Sequence, residues 1–369
     1  MTANPSTMAS NTTQTQLADA PQGFNVVAVM PWLEAHCKWM QGPYSWERLA
    51  GGHSNLTYRV TDSAGNAFVL RRPPEGELLP SAHDMAREFK IMKALWSTPV
   101  PVAEPLAFCD DKSITGAIFY AMRAVDGKSL YALEDVLVLI PESLRREHGF
   151  HFIDVLADLH AVDPNAVGLG DLGRPDAYVA RQLKRWKASW DAAKTVEAPD
   201  VELLHEFLVS NIPEQGPARL VHGDYGLHNC VSNAAGRVAA VIDWEISTLG
   251  DPLADLAYAI NGWGKPEDIS ARGIRPSQAL GYPSDDELLA RYAAKTGVDL
   301  SNIGFYVSFN HWKTVCILNG VLARYYAGQK STEGVDIAGL CGARDEALAK
   351  AIAVARPLGF VPTAKGNPS

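Results

Sequence analysis

The chain has 369 residues, of which 47% are hydrophobic. That is enough for one large domain or for two lobes that each bury a core. Its formal net charge is −9 at pH 7, and because nucleic-acid binding needs a basic surface, this balance argues against a nucleic-acid partner.

The first 22 residues are rich in Thr, Ser, Asn, Gln and Ala, with neither a basic start nor an apolar block. They predict a disordered tail, not a secretion signal or a membrane anchor. No apolar run in the sequence reaches the length that spans a bilayer, so we expect no membrane partner. The five cysteines show no CxxC spacing, which predicts reduced thiols in a cytoplasmic protein.

The first folded elements follow this tail. Val26–Met40 has the apolar spacing of a short helix, and Trp46–Val60 is typical of a strand, a glycine-rich turn and a second strand. The turn, Gly51-Gly52-His53-Ser54-Asn55, would let backbone N–H groups approach a phosphate closely. Ordinary hairpin turns also use glycine pairs, so the turn alone does not establish a nucleotide site.

A third strand and a helix come next. The strand predicted at Asn66–Arg72 ends in two arginines, and alternation along a strand places one of them on each face. A helix is predicted from His83 to Trp96, because apolar residues recur there at three- and four-residue steps. Glu88 lies beside that apolar stripe, where it could face the preceding strand and pair with Arg71.

Two further strands are predicted at Val100–Cys109 and Ile114–Arg123, and from Leu130 onward helical periodicity dominates. Residues 263–283 are rich in Gly, Pro and polar side chains, which indicates a long loop of the kind that often serves function. Strands first and helices later are the order of an α+β enzyme with two lobes. The predicted later helices cover residues 144–160, 176–195, 200–211, 284–296, 305–328 and 341–355.

One stretch in the second half of the chain carries the chemistry. Two apolar runs, Arg219–Val221 and Val238–Ile242, each end in a cluster of polar residues, and a turn signal, Asn-Ala-Ala-Gly, lies between them. A hairpin of the two runs would bring the clusters side by side. Asp224 could then accept a proton from an attacking hydroxyl, while Asn229 and Asp243 offer oxygen ligands that suit Mg²⁺.

The motifs His222-Gly-Asp224-Tyr-Gly-Leu-His-Asn229 and Ile242-Asp243-Trp244-Glu245 resemble those of the aminoglycoside phosphotransferase and choline kinase group. More closely, they are similar to the phosphotransferase-type domain fused to some acyl-CoA dehydrogenases. The resemblance covers most of the chain, from Trp46 to the last helix. It implies a two-lobed protein-kinase-like α+β fold, with a small N-terminal β-rich lobe and a larger helical C-terminal lobe.

With that fold the chain would divide into a tail (1–22), an N-terminal nucleotide-binding lobe (23–122), a hinge (123–127), a C-terminal catalytic and substrate lobe (128–360) and a final tail (361–369). In the family the hinge hydrogen-bonds adenine through backbone groups. Those groups would lie here near Met122 and Ala124.

The resemblance also implies roles for single residues. Asp224 would be the catalytic base, and Asn229 and Asp243 would bind magnesium. The glycine-rich turn would lie over the nucleotide, with His53 and Ser54 adding contacts.

The family has a lysine that pairs with the α- and β-phosphates, and this chain has arginine at that position. Arg keeps the charge and can bind phosphate with two hydrogen bonds. We favour Arg71 over its neighbour Arg72 for this contact, and Glu88 would buttress it through an ion pair, as in kinases.

These features predict an ATP-dependent kinase that uses Mg²⁺ and moves the γ-phosphate to a hydroxyl of a small molecule. The similar branch of the family suggests a hydroxyacyl compound or its CoA thioester, with an aminoglycoside or an amino alcohol as the alternative. An aminoglycoside pocket would need acidic residues, and Phe305–Gly328 contains none. Its aromatic side chains, with His311, Lys313 and Arg324, suit an apolar or anionic acceptor better.

Two other classes of function fit part of the pattern. His222, Asp224, His228, Asn229 and Asp243 are also typical ligand types of a dimetal phosphoesterase. A nucleotide-binding regulatory module without catalysis is the third interpretation, because the arginine that replaces the family lysine could impair transfer.

Overall fold

The structure, a computed structural model, describes residues 21–49, 55–76, 84–264, 270 and 273–363. The chain forms two compact units, one made of Met1–Ala86 and Leu106–Ala124, the other of Arg87–Pro105 and Val125–Ser369. Most of the predicted N-terminal tail and the turn residues Gly51, Gly52, His53 and Ser54 lie outside the described residues. The lobe and hinge boundaries given above stay predictions.

The strands are short and fall mainly in the first part of the chain. They are β1 (Ser45–Arg48), β2 (Leu56–Thr61), β3 (Ala67–Arg72), β4 (Pro105–Cys109), β5 (Phe119–Arg123), β6 (Lys128–Ser129), β7 (Arg219–Val221), β8 (Cys230–Asn233), β9 (Arg237–Val241) and β10 (Thr248–Gly250).

The helices dominate the second part of the chain. They are α1 (Val26–His36), α2 (Met85–Leu95), α3 (Leu133–Leu139), α4 (Glu142–Ala161), α5 (Tyr178–Ala192), α6 (Pro199–Ser210), α7 (Pro252–Asn261), α8 (Asp285–Thr296), α9 (Ile303–Tyr326) and α10 (Ile337–Ala355).

The first unit is built on a sheet with the strand order β1-β2-β3-β5-β4. The pairs β1–β2, β2–β3 and β3–β5 are antiparallel. Alternating residues of β2, including Tyr58 and Val60, face a core that also takes Leu33 of α1 and Phe68 of β3. Burial of these apolar side chains is what holds a small sheet together, so the unit matches the predicted β-rich lobe.

The second unit is organised around α9. This helix of 24 residues packs against α5, α6, α7 and α10. Its buried Trp312 donates an indole hydrogen bond to the carbonyl of Val201 on α6 at 3.0 Å, so the large ring is buried with its polar atom satisfied. Val221, the last residue of β7, belongs to the same core. The core therefore fixes the point at which the polar stretch after β7 begins.

The predicted hairpin exists, but the prediction had one of its arms wrong. Arg219–Val221 (β7) pairs with Thr248–Gly250 (β10), and the partner of β9 is Cys230–Asn233 (β8). β8 contains Ser232 and Asn233 and has no long apolar run, so its sequence pattern did not predict a strand. Ladder hydrogen bonds and the buried Cys230 hold it in the sheet instead.

Helix α7 begins with residues that favour a helix start. Asp251 accepts a hydrogen bond from the backbone N–H of Leu253 at 3.0 Å, and Pro252 occupies the first helical turn. Across the part of the chain that the structure describes, every helix lacks the combination of length and apolar character that a bilayer span requires.

Candidate active site

The polar segment after β7 is anchored by a buried aspartate. Asp255 on α7 accepts hydrogen bonds from the backbone N–H groups of His222 (2.6 Å) and Gly223 (2.8 Å), and His160 lies 3.3 Å from the same carboxylate. Burial would raise the pKa of Asp255, but the hydrogen bond and charge of His160 and the His222 contacts offset it and lower that pKa. An ionised carboxylate thus holds the start of the segment.

His222 braces the same segment. Its Nε2 lies 2.9 Å from the carbonyl oxygen of Ile242, so Nε2 carries the hydrogen and Nδ1 accepts the backbone N–H of Asp224 at 3.3 Å. The imidazole is fully buried, and the ring of Trp244 lies 4.9 Å from it. Both ring nitrogens of His222 are therefore engaged within the protein.

Asp224 is surrounded by donors. Asn229 Nδ2 donates to its Oδ2 at 3.0 Å and to its backbone carbonyl at 2.9 Å, and His228 Nε2 lies 3.5 Å from Oδ2. The hydroxyl of Tyr258 donates to Oδ1. Burial would raise the pKa of Asp224, but the hydrogen bond and charge of His228 and the hydrogen bond of Tyr258 outweigh it and lower that pKa to about 2. The carboxylate is ionised at neutral pH, and its side chain is 36% exposed.

Tyr258 is a site residue that the sequence analysis missed. It follows Asp255 by three positions on α7, so both side chains lie on the face that meets the polar segment. The ammonium of Lys313 lies 5.2 Å from the Tyr258 ring and 5.8 Å from the Trp186 ring. Burial lowers the pKa of Lys313, although the charges of Asp255 and Asp224 act to raise it. The Lys313 side chain is therefore held by packing over aromatic rings.

The β8–β9 hairpin places the motif that begins at Ile242 next to the motif that begins at His222. The N–H of Ile242 donates to the carbonyl of Asn229 at 3.0 Å, so Asp243 follows directly after this contact. Asp243 has a φ of 67°, a left-handed conformation that is uncommon outside glycine. Such backbone conformations persist where the surroundings enforce them, often at functional sites.

Asp243 lies in a cluster of carboxylates. Ligand oxygens of Glu88, Asp243 and Glu245 all lie within 4.8 Å of one another. Three negative groups this close repel each other, and a divalent cation between them would offset that repulsion. Carboxylate oxygens are the ligands that Mg²⁺ prefers, so this donor set fits the magnesium that the family resemblance implies. Glu245 belongs to the motif that begins at Ile242, but its position in the sequence did not mark it as a ligand.

Helix α2 reaches this cluster through its neighbouring arginine. Arg87 donates to the carbonyl oxygens of Leu172 (2.7 Å) and Ser247 (2.6 Å). Ser247 follows Glu245 by two residues, so these bonds fix α2 against the segment that carries the acids. Glu88, 1% exposed, is thereby held beside Glu245. Arg71 belongs to the other unit, and its predicted pairing with Glu88 stays a prediction.

Only some of the nucleotide contacts predicted in the first unit fall on residues that the structure describes. Asn55 is buried, and its side-chain nitrogen and oxygen find no hydrogen-bond partner among the described residues. Arg72 donates to the backbone carbonyls of Gly23, Pro73 and Thr115. Since these carbonyls occupy the Arg72 guanidinium, Arg71 remains the candidate for phosphate.

The two predicted hinge residues lie at the end of β5. Met122 is paired with Val69 of β3, and the N–H of Ala124 donates to the carbonyl of Ala67 at 3.1 Å. An amide already engaged in this way cannot also donate to adenine. The adenine hypothesis is thus left with the carbonyl of Ala124 and the neighbouring backbone.

A cavity of about 570 Å³ opens beside Asp224 within the second unit. His228 and Tyr258, which both contact the Asp224 carboxylate, line it together with Trp263 and Phe152. Its size is that of a small-molecule site. His311 of α9 also lines the cavity, whereas Lys313 and Arg324 are not among its lining residues.

Comparison with known proteins identifies the family. The sequence model of a protein family, described as the phosphotransferase enzyme family, matches residues 45–293, more than half of the chain. The chain belongs to this phosphotransferase family. Acyl-CoA dehydrogenase family member 11 of Gallus gallus is 35% identical to it over 300 residues, which are 79% of this chain and 38% of that protein. This phosphotransferase therefore spans well under half the length of that curated relative.

Solved structures agree with the family assignment. A candidate aminoglycoside phosphotransferase of Ralstonia eutropha is 31% identical to this phosphotransferase, with a TM-score of 0.77 over 90% of this chain and 99% of that one. A thermostable aminoglycoside phosphotransferase mutant, solved with AMP-PNP and hygromycin B, shares the fold at 17% identity, with a TM-score of 0.57 over 90% and 100% of the chains. The predicted protein-kinase-like fold is confirmed.

Proposed function

We propose that this phosphotransferase moves the γ-phosphate of ATP to a hydroxyl of a small molecule bound in the cavity beside Asp224. The observation that carries the proposal is the ionised Asp224 carboxylate, held by Asn229, His228 and Tyr258, in the same unit as the carboxylates of Glu88, Asp243 and Glu245. Phosphoryl transfer needs such positioning and charge neutralisation more than covalent chemistry from the protein.

Asp224 would act as the base. With a pKa of about 2 it is a weak base toward an alcohol. It would first accept a hydrogen bond from the acceptor hydroxyl and so orient the oxygen toward phosphorus. The proton would pass to Asp224 late, once the new bond to phosphorus has made the oxygen acidic, which suits a loose transition state.

Asn229 and Asp243 would hold Mg²⁺, and Glu245 is the further carboxylate within reach of Asp243. When bound, the metal would neutralise charge on the phosphates. Asn229 would combine this role with its hydrogen bond to Asp224, so the base and the metal side would be tied together by one amide. The dimetal phosphoesterase alternative is less well supported, because both ring nitrogens of His222 are already engaged.

ATP would be held by the first unit. Arg71 is the proposed phosphate contact, with Glu88 as its buttress, and the turn that ends at Asn55 would lie over the phosphates. The backbone around Met122 and Ala124 would meet the adenine. The complex of the distant relative with AMP-PNP supports a nucleotide of this kind.

The acceptor we propose is a hydroxyacyl compound, as the acid or as its CoA thioester. The similarity to an acyl-CoA dehydrogenase family member supports it. An aminoglycoside or amino alcohol fits the cavity less well, because Arg275, His311 and Lys350 line it, and Glu346 is the one carboxylate among its described lining residues.

Asp224→Asn tests the proposal directly. The variant should keep the affinity for Mg·ATP, measured by calorimetry, while transfer to a hydroxyacyl acceptor falls by about 10²–10⁴-fold. Asp110→Asn, on an exposed turn of the first unit, is the matched control and should transfer normally. Equal loss of nucleotide binding and transfer in Asp224→Asn would contradict the assigned role, and binding of ATP without any transfer by the wild type would favour a regulatory module.

A further inference from the structure

The cavity beside Asp224 has a polar wall that the proposed transfer reaction does not use. Arg275 lies just before a short 3-10 turn, His311 lies on α9, and Glu346 and Lys350 lie on α10. All four line the same cavity as His228 and Tyr258. A molecule bound in this cavity can therefore contact both this wall and the residues that hold the Asp224 carboxylate.

The charge of the wall is positive among the described residues. Lys350 pairs with Glu346 at 2.8 Å, so these two charges compensate each other. Arg275 donates to the carbonyl of Asn261 at 2.8 Å, and none of the described carboxylates forms an ion pair with its guanidinium. The cation of Arg275 is thus compensated by a peptide dipole and leaves further N–H donors for a ligand.

His311 shows that the wall is half-buried and positive. Burial, together with the nearby charges of Lys350 and Arg275, lowers the pKa of His311 to about 4, against the opposing charge of Glu346. The imidazole is neutral at pH 7, so one of its ring nitrogens carries a hydrogen that it can donate.

We propose that Arg275, His311 and Lys350 form an anion subsite, which binds a carboxylate or phosphate group of the acceptor while its hydroxyl lies at Asp224. The inference rests on the proposed transfer to a small-molecule hydroxyl and narrows its substrate class to acceptors with a second, anionic group. Arg275 supplies a planar pair of donors and the charge left without an ion pair among the described residues, His311 supplies a neutral donor, and Lys350 supplies further N–H donors beside its ion pair with Glu346.

Binding without nucleotide tests the subsite apart from catalysis. We suggest calorimetric titration of the wild type with three compounds of one chain length: a hydroxyalkanoate, its carboxamide and the corresponding hydroxyalkyl phosphate. At least one anion should bind about ten-fold more tightly than the carboxamide, since hydrogen bonds to charged groups are the strong ones. The carboxylate and phosphate arms show which anion is preferred. Equal binding of the carboxamide, or no binding of either anion, overturns the inference.

Two variants that should change anion binding in opposite directions distinguish a loss of anion recognition from a general loss of folding. Arg275→Gln should weaken binding of the preferred anion about ten-fold and leave the carboxamide unchanged, while Arg275→Lys should restore part of the loss. Glu346→Gln should strengthen anion binding, because it removes the carboxylate that competes for Lys350. Thr314→Val, an uncharged change in the same lining, should alter neither. A uniform loss in all variants, or weaker anion binding in Glu346→Gln, overturns the subsite.

Transfer assays keep this inference distinct from the proposed function. If the anions bind as expected and no phosphate is transferred from ATP, the subsite stands and the proposed function fails. If neutral and cationic alcohols are phosphorylated as well as the anionic ones, the proposed function stands and the subsite fails. An acceptor preference that disappears in Arg275→Gln, through a higher KM with kcat nearly unchanged, supports both.

Discussion

Two groups of acidic side chains in the second unit have opposite surroundings. Asp224 and Asp255 are met by N–H and O–H donors, which lower the pKa of both carboxyl groups. In the other group, Glu88, Asp243 and Glu245 meet one another within 4.8 Å. The first arrangement is complete without a ligand, because the fold supplies its donors. The second gathers carboxylate oxygens that a divalent cation can bind, so we expect the base to be preorganised and the metal side to depend on Mg²⁺.

Apart from Asp224→Asn, the largest effect should come from the carboxylate cluster. Asp243→Asn should lower transfer by about a thousand-fold, because a metal contributes several kcal/mol to charge stabilisation in such reactions. Asparagine tolerates the left-handed conformation at this position, so the variant should fold. The measurement is kcat against Mg²⁺ concentration, together with Mn²⁺ binding by electron paramagnetic resonance.

Glu245→Gln is the companion of that variant. It should raise the Mg²⁺ concentration needed for half-maximal rate by less than Asp243→Asn does, since Asp243 and not Glu245 is a proposed magnesium ligand. If both variants bind Mn²⁺ and turn over like the wild type, the cluster does not hold the catalytic metal. The expected difference between a preorganised base and a metal-dependent cluster is then wrong.

The anchor of the polar segment should give the next effect. Asp255→Asn leaves the backbone N–H groups of His222 and Gly223 with a neutral acceptor and should cost about 3 kcal/mol of unfolding free energy at pH 7. The folded pKa of Asp255 lies below its ordinary value of 3.8. Its contribution to stability is therefore present above about pH 4 and is lost as the pH falls through the folded pKa.

Urea unfolding of wild type and Asp255→Asn at several pH values measures this. The difference between the two should stay constant from pH 7 to about pH 4 and shrink below it. Asp299→Asn, an exposed aspartate whose pKa is lowered mainly by Ser301, is the control for a surface site and should change stability little. A difference that grows toward acid pH would show that the carboxyl is protonated in the folded protein.

The donors around Asp224 should give the smallest effect. Tyr258→Phe removes one hydrogen bond and should raise the pKa of Asp224 above about 2, so the acidic limb of kcat/KM moves to higher pH. At pH 7 the loss should be about ten-fold or less. His228→Gln should move the limb further, because His228 contributes both a hydrogen bond and charge. If the acidic limb of kcat/KM stays at the same pH in both variants, these donors do not lower the pKa of Asp224.

Short-range spacing determined a large part of this site. Asp224 and Asn229 lie five residues apart on one segment, so the motif alone indicated that they belong to one site. The cap at Asp251 and the turn of the hairpin are also local features, which sequence reports well because neighbouring residues specify them.

Contacts between distant residues were decided by the tertiary structure. The sequence pattern chose the wrong arm for the hairpin, because the short β8 has no apolar run of its own. Tyr258 meets Asp224 only because α7 packs against the polar segment, and Glu88 meets Asp243 and Glu245 only because Arg87 fixes α2 there. The sequence by itself thus determined which chemical groups the site contains. Packing of helices and strands decided which of those groups touch, because one-dimensional spacing carries no information on how separate elements are placed.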